Sequence, residues 1–486
     1  RTVEIATEAR IAEDRLATRR LRLPARAHGG GIRAQAHVAD AAYAAATIES
    51  LAALRHVPGE ERRGIHHSVG CALLGDSEQD EPLRFLIESS GTECGARVKD
   101  IWAKLQREVA DYEGEGDPEE GWILNTPVHN AGFRKESGLI RRLQHHITRH
   151  RDDAEAARLE REIQSRPEKD MIRIQWNALD SLSAQFLGAL PATEAFAMTN
   201  AQFAVACNTY FGTKWHGLED VIGRKVGVRW TATVDDKGFA LVTHAGSKIA
   251  TARHDDVKHC LRDILADAQV PHWCEVRTLF PQYSRGRSAH GRGNTGAGVI
   301  PDLMFKLGRA REAPATLGDV KCISPGRTWY KGSAARGGIA RDVDKRARKV
   351  HGEMMHRAKE ADNLYRLQGA AAIQTRLQQY GRVEGLAFGA FGEVSTEVQQ
   401  LINATAQFAA KRTWREMGAR TQKEALGIRL QKYKKMVGIS TVRSYAIAML
   451  SKLAEMRKPP AELWREGRDG RPWTLQEWLG GWRFPQ

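Results

Sequence analysis

Two acids and a lysine carry the strongest chemical signal in the sequence. Asp302 follows Pro301 in the run Ile300-Pro301-Asp302-Leu303-Met304-Phe305, and Asp319 and Lys321 lie in Thr316-Leu317-Gly318-Asp319-Val320-Lys321-Cys322-Ile323. Both runs suit short strands. Side chains alternate along a strand, so Asp319 and Lys321 share one face while Val320 and Cys322 turn to the other. If the two strands pair as a hairpin, Asp302 approaches Asp319 on that face. Two carboxylates suit Mg²⁺, a hard ion that takes oxygen ligands and keeps several waters. Bound Mg²⁺ polarises a phosphoryl oxygen and acidifies its own water. Lys321 is then placed to orient that water or to stabilise pentavalent charge. The expected chemistry is phosphodiester hydrolysis, with Asp302, Asp319 and Lys321 catalytic.

The neighbouring elements have to hold these residues in place. Asp255 and Asp256 are expected to open a helix whose apolar positions are Val257, Cys260, Leu261, Ile264, Leu265 and Ala268. That spacing marks one buried helical face, and acids in the first turn suit the helix dipole. Pro271 ends it. Strands are expected at 273–279, 299–307 and 315–323, then a long helix at about 341–367 and a strand at 383–391. Helix, three strands, helix and strand make a mixed α/β module of domain size. Glu275 would lie beside Asp302, either as a third metal carboxylate or as an exposed strand residue. Two connections flank the site. The loop 284–298 carries Arg285, Arg287, His290 and Arg292, and the loop 325–338 carries Arg327, Lys331 and Arg336. The first has no P-loop ending, which makes nucleotide hydrolysis a poor fit. Arg in such loops suits a DNA backbone, with simple disorder as the alternative. Lys345 and Lys349 on the long helix either hold phosphates or form a solvated face.

Outside this module the chain is mostly helical. A basic stretch at 10–22 closes on Pro24 and His28-Gly29-Gly30-Gly31. Residues 38–54 are Ala-rich, 114–120 form an acidic break, and 134–162 suggest a solvated helical arm. A short strand is expected at 228–234. Beyond the module, 397–456 is expected to be a basic helical extension. The tail holds Trp464, Trp473, Trp478 and Trp482, which either stack bases or pin the tail down. The expected division is 1–195 (helical linker), 196–400 (α/β module) and 401–486 (extension), in line with ~150 residues per domain.

Composition narrows the function classes. Lys and Arg number 74 against 59 acids in 486 residues, a net charge of +15 that points to polyanions such as nucleic acid. Hydrophobic residues make up 42%, enough for real cores. No apolar run approaches the ~18 residues of a membrane span, so no membrane partner is expected. Six scattered Cys exclude a disulfide scaffold and fit a reducing compartment. Cys207, Cys260, Cys274 and Cys322 occupy apolar positions and are expected to be buried.

The Pro301-Asp302 and Asp319-Val320-Lys321 spacing resembles the PD-(D/E)XK pattern of restriction-endonuclease-like nucleases. With Ala245-Gly246-Ser247-Lys248-Ile249, Arg253-His254-Asp255 and Glu275, it resembles the restriction-like endonuclease of non-LTR retrotransposons, of protist or algal type. Upstream, Leu21-Arg22-Leu23-Pro24-Ala25-Arg26 and Phe196-Ala197-Met198-Thr199-Asn200-Ala201-Gln202-Phe203 are similar to the post-polymerase and linker segments of such elements. The resemblance implies an αβββαβ core and a nuclease that nicks target DNA so that a reverse transcriptase in the same polypeptide can prime on the free 3′ end. It further implies element RNA as a partner and the nucleus as the place of action. The start on Arg1 is expected to reflect the C-terminal part of a longer polyprotein. Arg253 and His254 then contact a DNA phosphate or support the site, against a plain surface helix cap. The usual zinc knuckle has no counterpart: no Cys stands between Cys207 and Cys260, only His216, His244, His254 and His259. No zinc is therefore expected. Asp235-Asp236 before Lys237-Gly238 suggests a hairpin turn, not a polymerase metal pair. The rival reading is a nucleic-acid-binding module with an inactive nuclease fold, and intact Asp302, Asp319 and Lys321 argue for the enzyme.

Overall fold

A computed structural model describes residues 14–32, 143–227, 232–280, 299–307, 315–326, 329–330 and 341–457, with a few isolated positions at 38–46 and at 100. The chain divides into two compact units, at residues 11–176 and from 177 onward. The expected strand residues 228–231, the loop 284–298, most of the loop 325–338, most of the Ala-rich stretch and the Trp-rich tail lie outside the described residues.

In the first unit, helix α1 (Arg15–Arg22) starts where the Asp14 carboxylate accepts from the N–H groups of Leu16 and Ala17 at 2.9 and 3.0 Å. It stops before Pro24, and the turn that follows needs glycine: a Cβ on Gly29 would lie 2.1 Å from the Leu23 carbonyl oxygen. Helix α2 (Leu143–Gln164) is not the solvated arm its charges suggest. Leu159 and Ile163 are buried with Leu16, Leu23 and Trp176, and Arg19 pairs with Glu155 and Glu162. Charge density on α2 reflects ion pairing across to α1 as well as solvent. Helix α3 (Met171–Ala178) spans the division between the units.

The second unit is mixed α/β with a small mixed sheet. Helix α4 (Asn200–Phe211) opens with a capping box of Thr199 and Gln202 and ends on Gly212. The pair β1 (Lys225–Val226) and β2 (Ala232–Thr233) follows. Asp235 and Gly238 close a turn, with the Gly238 N–H donating to the Asp235 carbonyl at 3.2 Å, but a helix and not a returning strand follows it. The Asp235 carboxylate accepts from Lys237, Phe239 and Ala240 N–H and so starts the short helix α5 (Phe239–Thr243). Those N–H groups belong to a first helical turn and need an acceptor.

Helix α6 (Ser247–Asp267) begins eight residues before the expected acidic opening, so Arg253 and His254 lie inside it. The expected apolar face holds: Val257, Leu261, Ile264, Leu265 and Ala268 are buried. A four-stranded sheet follows in the order β3 (His272–Cys274), β4 (Leu303–Phe305), β5 (Thr316–Cys322), β6 (Glu384–Phe388). The first two pairings are antiparallel and β5–β6 is parallel, joined through helix α7 (Asp342–Tyr365) and the short α8 (Ile373–Gln378). The described elements thus run helix, three strands, helix, the short added α8, and strand. Strand β3 is much shorter than 273–279, because Glu275 takes φ = 47° and turns the chain.

Alternation divides the sheet. Leu303, Phe305, Val320, Leu386 and Phe388 pack with α6, helix α9 (Thr396–Thr413) and helix α10 (Gln422–Arg457). Leu317 joins Val350, Met354, Ala358 and Ala361 of α7. Helix α10 is the largest departure from expectation, since it runs through the core instead of extending from it. Tyr433, Val437, Ile439, Val442, Tyr445 and Ala446 are buried. Several of the basic residues of this expected extension pair within the unit: Arg429 and Lys432 hold Asp267 at 2.5 and 2.7 Å. No helix among the described residues is long and apolar enough to cross a membrane.

Candidate functional site

The β4–β5 register decides where the acids meet. Leu303 stands opposite Gly318, so one step outward Asp302 stands opposite Asp319. The Asp302 carboxylate continues the ladder: its Oδ2 accepts the Val320 N–H at 2.7 Å, where a strand carbonyl would otherwise serve. The same oxygen lies 3.0 Å from Nε2 of His254 on α6. Both contacts fall on Oδ2, so among the described residues Oδ1 is the oxygen left for a cation. Asp319 and Lys321, two apart on β5, form an ion pair. Asp302 and Asp319 are 9% and 5% exposed, which makes this a desolvated carboxylate pair and not two strand ends in water.

Their electrostatics differ. Burial pushes Asp302 up, but the His254 hydrogen bond and charge outweigh it and hold the acid below the ordinary carboxylate range. Burial also pushes Asp319 up; Lys321 opposes this, while the Asp302 charge adds to the rise, and the result is above the ordinary range. Burial lowers His254, yet its bond to Asp302 leaves it raised. His254 thus compensates Asp302, while Asp319, buried and beside the Asp302 charge, is not fully offset by Lys321. A divalent cation fits that need, and one or two carboxylates with several waters is the ligand set Mg²⁺ accepts.

Glu275 does not complete a three-acid set. Its N–H donates to the Asp302 carbonyl at 3.1 Å, but its carboxylate is drawn to Lys258 on α6. Among the described residues no three His, Cys, Asp or Glu converge on one metal position. Arg253 is 4% exposed and committed to the fold. It donates to Ser324 Oγ at 2.7 Å and to the carbonyls of Ile323 and Gly389 at 3.0 and 2.9 Å, and it lies over the Tyr445 ring. Arg253 therefore braces the ends of β5 and β6 and is not open to a phosphate, and the surface-cap alternative falls with it. Lys345 is half-buried beside Asp342 at 3.3 Å, and Lys349 sits over the Trp329 ring at 5.4 Å. Arg285, Arg287, Arg292, Arg327 and Lys331 lie outside the described residues. The four cysteines are free, Cys207 buried and the others half-buried. Burial pushes the Cys260 thiol up to about 12 and raises Cys207, Cys274 and Cys322 as well, so none is primed as a nucleophile.

Sequence reasoning passed over Lys258, whose spacing of four from His254 on one helix was the available signal. It also passed over Arg357 of α7, whose charge acts to lower Asp319. A third omission is the buried pair of Tyr330 and Glu393, joined by a hydrogen bond from the phenol to the carboxylate. No protein-family model matches the chain, and no curated protein matches it.

Proposed function

We propose that this chain carries a Mg²⁺-dependent DNA endonuclease of the restriction-like, PD-(D/E)XK type. In this reading it nicks target DNA in the nucleus so that a reverse transcriptase of the same polypeptide can prime on the free 3′ end and copy element RNA. The observation that carries the nuclease reading is the buried Asp302–Asp319 pair, opposed across β4–β5, with Lys321 on the face of Asp319. When bound between these acids, Mg²⁺ would supply Lewis-acid polarisation of a phosphoryl oxygen and a more acidic water. Asp302 Oδ1 and Asp319 would hold it. His254 and the Val320 N–H fix Asp302 Oδ2, which leaves Oδ1 as the oxygen for the ion. Lys321, paired with Asp319, would stabilise charge developing on the phosphate.

A second reading has one observation in its favour. The Glu275 carboxylate is held by Lys258, so the acid set is two and not three, as in a nucleic-acid-binding module that has lost catalysis. Nicking of supercoiled plasmid with Mg²⁺ separates the two. The enzyme reading expects nicking by the wild type and its loss in Asp302→Asn, with DNA retardation in EDTA unchanged. Retardation without nicking in both proteins would favour the binding module.

A further inference from the structure

Asp302 and four residues around it close a ring, and one of them, Lys258, has no part in the chemistry above. Asp302 Oδ2 lies 3.0 Å from His254 Nε2, and His254 Nδ1 lies 3.1 Å from Asp255 Oδ1. Lys258 Nζ donates to that same Asp255 oxygen at 2.7 Å and to Glu275 Oε1. Glu275 closes the ring through its main chain, its N–H donating to the Asp302 carbonyl at 3.1 Å. Acid and base alternate along the four side chains from His254 to Glu275, and the closing link is a main-chain bond between two acidic residues.

Lys258 is 4% exposed. An ammonium out of water is costly unless it is paired and hydrogen-bonded, and here two carboxylates do both. Glu275 adds a second constraint. Its φ of 47° is left-handed and non-glycine, a conformation that persists only where the surroundings enforce it. The backbone bond to Asp302 depends on that turn, and the side chain that anchors the turn ends on Lys258. On the other arm, Asp255 is held on the His254 ring by the same ammonium.

We propose that Lys258 is a positioning residue: by anchoring Glu275 in its turn and Asp255 against His254, it fixes both the main chain and the carboxylate of Asp302. It thereby sets the Mg²⁺ affinity of the Asp302–Asp319 pair. This rests on the metal-site reading above, and a lysine that served folding alone would leave that affinity where it is. Groups that orient a metal ligand from behind typically change affinity 10- to 100-fold when removed.

The test is calorimetric titration of Mg²⁺ into the full chain, with a thermal melt of each variant. Lys258→Met is expected to weaken binding by about tenfold or more, and Lys258→Arg to keep most of it. Glu275→Gln, which cuts only the Glu275 arm, should weaken binding by no more than Lys258→Met, and adding it to Lys258→Met should cost nothing further, because that link is already cut. Wild-type affinity in Lys258→Met alongside lost binding in Asp319→Asn would overturn the inference and leave the site reading standing. So would two independent, multiplying losses in the double variant. Identical titrations of wild type and Asp319→Asn would overturn the site reading and this inference together. If Lys258→Met does not fold, Glu275→Gln, which preserves side-chain shape, decides by the same criterion.

Discussion

Glu393 shows how one buried group writes a pH dependence onto the fold. Its carboxylate accepts from the Phe391 N–H at 2.9 Å and from the Tyr330 phenol, which itself accepts from the Ala390 N–H at 2.9 Å. Burial lifts this acid from an ordinary 4.5 to about 7. The folded state therefore keeps a proton that the unfolded chain has already released. Its contribution to stability is greatest below pH 4.5 and declines as pH rises toward 7, by about 3 kcal/mol over that window. Urea midpoints across pH should show this decline in the wild type relative to Glu393→Gln; parallel curves for the two would contradict it. At the same scale, the meeting of Asp302, Asp319 and Lys321 was legible in the sequence, because it needs only two-residue alternation and one antiparallel register. Lys258 was not. Its partner Glu275 stands 17 residues away, and a left-handed turn that no residue type announces brings the two together.

Helices α6 and α10 mark the limit of pattern reading at the scale of elements. The apolar spacing of α6 predicts its buried face, but its start was misplaced because Asp255 and Asp256 resemble a first helical turn. In fact Arg253 and Lys258 are buried polar residues in mid-helix. For α10, counting basic residues concealed a core element, since its buried run 436–442 mixes Gly, Ser and Thr with Met, Val and Ile. The crossover helix α7 is seated by a contact that sequence periodicity cannot show. A Cβ on Gly385 of β6 would lie 2.2 Å from the carbonyl oxygen of Ala347 and 2.6 Å from its Cα. Both are backbone atoms, so helix and strand would have to separate. Gly385→Ala is expected to destabilise the chain by roughly 1–3 kcal/mol or more, as overpacking does. A urea titration checks this, and unchanged stability would mean that α7 is not seated on β6 as described.

At the scale of the whole molecule, the +15 charge has two different uses among the described residues. Part of it is spent inside the fold: Arg253 on strand ends, Arg341 on Asp180 at 3.0 Å, Arg429 and Lys432 on Asp267. Part is exposed, at Lys411, Arg412, Arg415 and Lys423 about the end of α9 and the start of α10. If the chain grips DNA as proposed, the exposed share would do so without regard to sequence, and retention should weaken steeply with salt whether or not the acids are intact. Catalysis is the separable part, and it is the central claim. The most direct test is the single-turnover rate of plasmid nicking at saturating Mg²⁺, measured for wild type and Asp319→Asn at matched DNA occupancy. The account predicts nicking by the wild type and a fall of about 100-fold or more in the variant, the order seen when a charge-stabilising group is removed from an active site. Equal rates in the two proteins would contradict it.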